Sequence, residues 1–405
     1  MPEAVIVATA RSPIGRARKG SLKDVRPDDL AAQMIRAALD QVPELDPSTI
    51  DDLQLGCAIP EGYQGGNLAR TVAIRLGLDS VPGATVTRFC ASSIQTTRAA
   101  FHAIASGEAR AVISAGVESI SLSSGKLMEE DARDPQFREA WERTDKRASR
   151  EIPAPWHDPR QDGELPDAYI QMGQTAENVA ELRGISRAAQ DEYAVRSQNR
   201  AEAAKASGFF DRDITPVTLP DGTVISADDS PRAGVTLDAA AGLDPVFRPD
   251  GTVTAGNCCP LNDGAAALVI MEAEYAKELG ITPLARVVAT GVSGLSPEIM
   301  GLGPVEATRR ALALADLTID DIDLVELNEA FAAQVIPSAE DLGIDHDKLN
   351  VHGGAIALGH PWGSTGARLT TTLLNGLRER EGRFGLATLC VGGGQGMALI
   401  IERMS

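Results

Sequence analysis

Apolar positions along this chain follow two rhythms, and their succession repeats. Ala4-Val5-Ile6-Val7-Ala8-Thr9 is a short apolar run of strand length. Residues 30–39 then carry apolar side chains at helical spacing, and residues 50–55 read as a second strand. The second half repeats this order, with a strand at 285–290, a helix at 305–315 and a strand at 319–325 that opens on the same Ile-Asp-Asp as the first. Each half continues through a strand, a turn of small residues, a helix and another apolar strand. In the first half these are 84–87, the turn at Cys90, 94–104 and 111–115; in the second they are 349–351, the turn at His360, 367–377 and 386–390. A βαβ-rich unit present twice is the economical reading, and it predicts an α/β fold.

Between residues 120 and 249 the pattern changes. Residues 131–167 are charged, proline-rich and without period, whereas 175–207 read as helices broken at Gly184. Ser186 is placed to cap the second of these and Gly208 to stop it. Asn262-Asp263-Gly264 reads as a turn into a strand at 266–271 that completes the first sheet. The predicted organisation is therefore a first half from 1–119 and 250–275, an inserted domain at 120–249, and a second half at 276–405. An insertion of this length leaving strand ends is expected to cover a functional site.

Composition narrows the function. With 43% hydrophobic residues in 405, the chain has the makings of a large core. A net charge of −19 argues against nucleic acid as a partner, and an anionic substrate would need a local basic patch. No apolar run reaches the length of a membrane span, the first residues lack the pattern of a secretory signal, and the last four are not a peroxisomal address. A cytoplasmic protein is expected. Cys57, Cys90, Cys258, Cys259 and Cys390 are odd in number and show no disulfide or zinc spacing, so reduced thiols and no metal are expected.

Three turns carry the chemistry. Cys90 precedes a predicted helix, where the dipole and free N–H groups favour a thiolate; a buried structural cysteine is the competing reading. His360 lies between Gly359 and Pro361, which fix its backbone and aim the ring. Cys390 ends an apolar run and is followed by Gly392-Gly393-Gly394, whose N–H groups suit a developing oxyanion. Asn328 follows a strand, either as the cap of the next helix or as the holder of a water facing a carbonyl oxygen. His352 either lines the same site or packs. Two thiols and one imidazole on turns beside strands are the parts of an acyl-transfer enzyme with a sulfur nucleophile.

Together with Arg11-Ser12-Pro13-Ile14-Gly15, Met172-Gly173-Gln174-Thr175-Ala176-Glu177-Asn178, Thr254-Ala255-Gly256-Asn257, Asn262-Asp263-Gly264-Ala265 and Asn328-Glu329-Ala330-Phe331, these turns resemble the thiolase family over essentially the whole chain. The resemblance implies two thiolase halves in a five-layered αβαβα core with an inserted loop domain. It implies Cys90 as the acylated nucleophile, His360 as its base and Cys390 as the acid and base for the α-proton of acetyl-CoA and the thiol of CoA. Asn328 through a water, with His360, would hold the enolate oxygen, and the N–H groups of Cys90 and Gly392 the tetrahedral intermediate. Arg232, Met172, Ala255, Cys259 and Phe331 would contact CoA or the acyl chain. Coenzyme A and acyl-CoA would be substrates, with no resident cofactor, and a homodimer or homotetramer is expected. Departures from the family pattern at Thr87, Ser93, Gln171, Cys259 and His352 fall where acyl specificity would be set. Cys258 and Cys259 as a pair are read as structural. A decarboxylating ketoacyl synthase and a non-catalytic acyl-CoA carrier are the rivals; the second thiol at 390 argues against the first, and the complete set of reactive groups against the second.

Overall fold

The apolar runs of the first half become β1 (Ala4–Arg11), α1 (Pro27–Leu39), β2 (Asp52–Gly56), β3 (Gly83–Val86), α2 (Ser92–Ala105) and β4 (Ala111–Ser119) in the computed structural model, which describes residues 2–124, 130–152 and 155–405. The insertion contributes α3 (Met172–Arg183) and α4 (Arg187–Ala206), and β5 (Asn262–Glu272) returns to the first sheet. The second half supplies β6 (Ala285–Gly294), α5 (Gly303–Ala315), β7 (Leu324–Leu327), α6 (Ala332–Leu342), α7 (Thr365–Glu379), β8 (Phe384–Val391) and β9 (Gln395–Arg403).

Hydrogen bonding orders the strands β3-β2-β4-β5-β1 in the first half and β7-β8-β9-β6 in the second. In each half the leading strands are parallel and the returning ones antiparallel, so the two share one topology. Antiparallel pairing of Val5 with Arg286 and Ile6 with Ala285 joins them into a continuous sheet.

Three apolar layers flank the sheets. Leu30, Met34 and Ile35 of α1 cover the outer face of the first half, and Val305, Ala311 and Val335 of α5 and α6 cover that of the second. Between the halves, Ile94 and Ile104 of α2 meet Leu369, Leu373 and Leu377 of α7 and the inner faces of β5, β8 and β9. Helix, sheet, helix pair, sheet and helix give the five layers of the duplicated fold. The central position of α7 buries its threonines, and Thr370 and Thr371 hydroxyls donate back to the carbonyls of Gly366 and Ala367 at 2.8 and 3.0 Å, so a polar helix satisfies itself in the core.

The insertion folds as expected in its helical part. Gly184 and Gly208 adopt φ of 64° and 76°, and Ser186 Oγ accepts the Ala189 N–H at 3.1 Å. Three local expectations fail. Ile319–Asp321 forms a short helical turn, so the strand expected at 319–325 begins only at Leu324. Residues 349–351 make only a bridge between Leu349 and Val325. Asn350 takes φ of 46°, and its side-chain amide accepts the N–H of Leu327 at 2.9 Å and donates to its carbonyl at 2.8 Å, replacing the next rung of a strand. Asn262-Asp263-Gly264 is not a turn but the first part of β5.

Candidate active site

His360 is built into its turn by residues far away in sequence. Gly359 adopts φ of 115°, and a Cβ there would lie 2.6 Å from Ile14 and 2.7 Å from Asn262. Asn262 Oδ1 accepts the His360 N–H at 3.0 Å, and Gly264 leaves room for Pro361. The start of β5 is thus a cradle for the histidine turn. The hydroxyl of Thr365 donates to the Pro361 carbonyl at 3.0 Å and lies 2.7 Å from His360 Nδ1. With its single proton committed, this oxygen accepts from Nδ1–H, which leaves Nε2 as the basic nitrogen. Asn328 Nδ2 donates toward that nitrogen at 3.3 Å.

Asn328 does not cap a helix, since α6 begins after Phe331. Its N–H donates to Thr388 of β8 at 2.9 Å, its carbonyl accepts from Gln334 at 2.8 Å, and its buried Oδ1 has no partner among the described residues. Glu329 beside it accepts hydrogen bonds from Tyr193, Ser197, Asn350 and the Ile356 N–H, which ties α4 of the insertion to the histidine loop.

Cys90 stands at the entrance to α2, as the sequence predicts, in the short turn Phe89–Ala91. Phe89 has φ of 44°, a strained value for a non-glycine residue. The backbone N–H groups of Cys90 and Gly392 lie near enough to the Cys90 sulfur to favour its thiolate. These are donors from opposite halves of the molecule. Burial works against the expected thiolate: it pushes the Cys90 thiol up to about 12, and the two N–H groups offset only part of this. Burial also pushes the Cys390 thiol up, with Cys90 adding to the effect. His360 is driven down to about 3 by burial first and by Arg368 second. Burial thus favours the neutral form of both thiols and of the imidazole.

Of the predicted contact residues, Arg232 and Ala255 line a cavity of about 360 Å³ between the insertion and the rest of the molecule, together with Arg16, Gln198, Ser230 and Cys258. Arg16 and Arg232 form no ion pair among the described residues, so two uncompensated cations face a cleft in an acidic chain. Met172, Cys259 and Phe331 lie instead in the apolar cluster around Cys390, with Phe247 and Met300. Cys259 is close enough to Cys258, Cys90 and Cys390 for all three to raise its thiol, after burial. Cys258, read from sequence as structural, is part of the cavity wall. His352 packs away from these groups, stacked on Phe209 at 3.5 Å with Nε2 2.6 Å from Glu379. The roles of Thr365 and Asn262 escape the sequence reading, although both lie in segments it singles out.

Fold and site together define a class, a duplicated α/β protein equipped for acyl transfer through sulfur. Comparison with known proteins agrees. The model of the thiolase N-terminal domain matches residues 4–274 and that of the thiolase C-terminal domain residues 281–403. A β-ketoadipyl-CoA thiolase of Pseudomonas aeruginosa is 45% identical over 408 residues, with 99% of each chain covered. A 3-ketoacyl-CoA thiolase of Bacillus subtilis is 42% identical, covering 99% of this chain and all of its own. The crystal structure of the Bacillus anthracis acetyl-CoA acetyltransferase superposes with a TM-score of 0.87 at 40% identity, covering 100% of this chain and 99% of that one. The chain belongs to the thiolase family.

Proposed function

We propose that the three turns and the adjoining cavity form one active site in which Cys90 carries the acyl group. The chain is an acetyl-CoA C-acyltransferase. It cleaves 3-ketoacyl-CoA with CoA to acetyl-CoA and a shortened acyl-CoA, and in reverse performs a Claisen condensation. The relatives' names, β-ketoadipyl-CoA thiolase and 3-ketoacyl-CoA thiolase among them, support this reaction class.

In cleavage, His360 Nε2 takes the Cys90 proton as the sulfur attacks the 3-keto carbon. The N–H groups of Cys90 and Gly392 hold the resulting alkoxide. The bond between C2 and C3 breaks, and its electron pair passes to the thioester enolate. The enolate oxygen is held by the newly formed Nε2–H of His360 and by Asn328 through a water. Cys390 protonates C2 and acetyl-CoA departs. The Cys390 thiolate then takes the thiol proton of CoA, whose sulfur attacks acyl-Cys90. As that intermediate collapses, the proton on His360 returns to the Cys90 sulfur. Two thiols serve because acyl capture and proton transfer at carbon are separate tasks.

CoA occupies the cavity under the insertion at 120–249, which acts as its covering domain, with Arg16 and Arg232 toward the phosphates. Met172, Met300, Phe247 and Phe331 support an apolar acyl chain beside Cys390. Five free cysteines support a reducing, cytoplasmic setting, and the family resemblance supports a homodimer or homotetramer. The observation that carries this reading is the meeting of turns from the two halves: Arg88, beside Cys90, donates to Gln395, beside the glycines, at 2.8 Å, and the Gly392 N–H and Cys390 lie near the Cys90 sulfur. A Cys390→Ala variant tests it: Cys90 should still be acylated while α-proton exchange on acetyl-CoA is lost, and retained exchange would reassign the base.

A further inference from the structure

Gly392, Gly393 and Gly394 close the hairpin between β8 and β9, because Val391 pairs with Gln395 across them. Gly393 and Gly394 adopt φ of 75° and 77°, and consecutive glycines give a backbone little restraint of its own. An oxyanion donor must nevertheless be held to within about 0.5 Å. Gln395 supplies a restraint. Its Nε2 donates to the Gly392 carbonyl at 3.3 Å, and its Oε1 accepts from Arg88 Nη1 at 2.8 Å.

Arg88 stands two residues before Cys90 and is itself fixed on the first half. Its Nε donates to Gln95 Oε1 of α2 at 2.9 Å, and its backbone N–H donates to Ser92 Oγ at 2.9 Å. The intervening Phe89 turns its ring toward the glycines, within 3.5 Å of where a Cβ on Gly392 would sit. The turn that carries the Cys90 N–H and the turn that carries the Gly392 N–H, on different halves, are thus joined side chain to side chain.

We propose that Arg88 and Gln395 are positioning residues that set the spacing of the two N–H groups around the Cys90 sulfur. This rests on the acyl-Cys90 reading above. The tie bears on intermediates at the Cys90 carbonyl and leaves the enolate groups, Asn328, His360 and Cys390, untouched, so the two kinds of step separate.

Single-turnover acylation by acetoacetyl-CoA and α-proton exchange of acetyl-CoA in deuterated water are measured on Arg88→Met, Gln395→Met, the double variant and Gln395→Glu. Gln395→Glu keeps an acceptor for Arg88 but turns a carboxylate on the Gly392 carbonyl. Acylation is expected to fall about 10- to 100-fold in each single variant, with exchange retained. The double variant is expected to be no slower than the slower single one. Wild-type acylation in Gln395→Met, additive losses in the double variant, or equal loss of acylation and exchange each overturn the positioning role. Absence of an acyl group on Cys90 in the unaltered enzyme overturns the underlying reading instead.

Discussion

His360 and Cys90 are both drawn toward their neutral forms by burial. Oriented N–H groups at a helix start are worth about 0.3–2 kcal/mol to an anion, whereas withdrawing a thiolate from water costs roughly 4 kcal/mol. Desolvation outweighs the helix start, so the Cys90 thiol is raised and not lowered. Burial lowers His360 to about 3 and raises Cys90 to about 12. Acylation kcat/KM should therefore be flat from about pH 6 to 9; a bell with both limbs in that window would reveal a preformed thiolate–imidazolium pair. Thr365 matters because it assigns the tautomer. Thr365→Val should slow acylation about 100-fold or more, since the wrong nitrogen then carries the proton, while Thr365→Ser should retain most of the rate in single-turnover assays. His360 is legible in sequence from its glycine- and proline-bounded turn, and Cys90 from its place before a predicted helix. Thr365 is not, because a threonine acquires this role only through a distance of 2.7 Å.

At the level of elements, buried carboxylates hold the loops that aim the site. Glu118 at the end of β4 accepts the N–H groups of Ala58 at 2.8 Å and Gly363 at 2.9 Å, and the Gln64 amide at 2.9 Å. Burial raises its carboxyl, and these donors oppose that shift. Each oxygen faces donors, so Glu118→Gln must set an NH2 group against N–H groups. The variant should lose about 1–3 kcal/mol or more, read as a lowered urea midpoint, and an unchanged midpoint would contradict this role. Most strands before β9 and the helices α1 to α5 and α7 were legible from apolar rhythm, whereas β9 and the helix at Arg138–Ala148 were not. The outer strand at 349–351 was not, because an apolar triplet cannot reveal that the Asn350 side chain replaces its backbone pairing. The motif at 262–264 looked like a turn because its residues favour turns, whereas here Asn262 and Gly264 serve a neighbouring loop from within a strand.

Across the whole molecule, duplication does the assembling. Turns at two different positions of the repeated unit, one after β3 and one after β8, bring Cys90 from one half to Gly392 and Cys390 of the other. The two halves followed from the repeated pattern of the sequence. The cavity did not, since its wall draws on Arg16, α4, residues 230–243 and Ala255-Gly256, segments no local rhythm connects. A net charge of −19 repels an anionic ligand at long range, and Arg16 and Arg232 supply the local exception. Arg232→Ala should raise the KM for CoA about 10-fold with little change in kcat, and the difference should shrink at high salt; a fall in kcat alone would remove Arg232 from CoA binding. The central claim concerns a single sulfur. Enzyme mixed with labelled acetoacetyl-CoA, quenched within one turnover and mapped by mass spectrometry, should carry one acetyl group on Cys90 and none in Cys90→Ala. Label on Cys390 or Cys259, or on no cysteine, would contradict it.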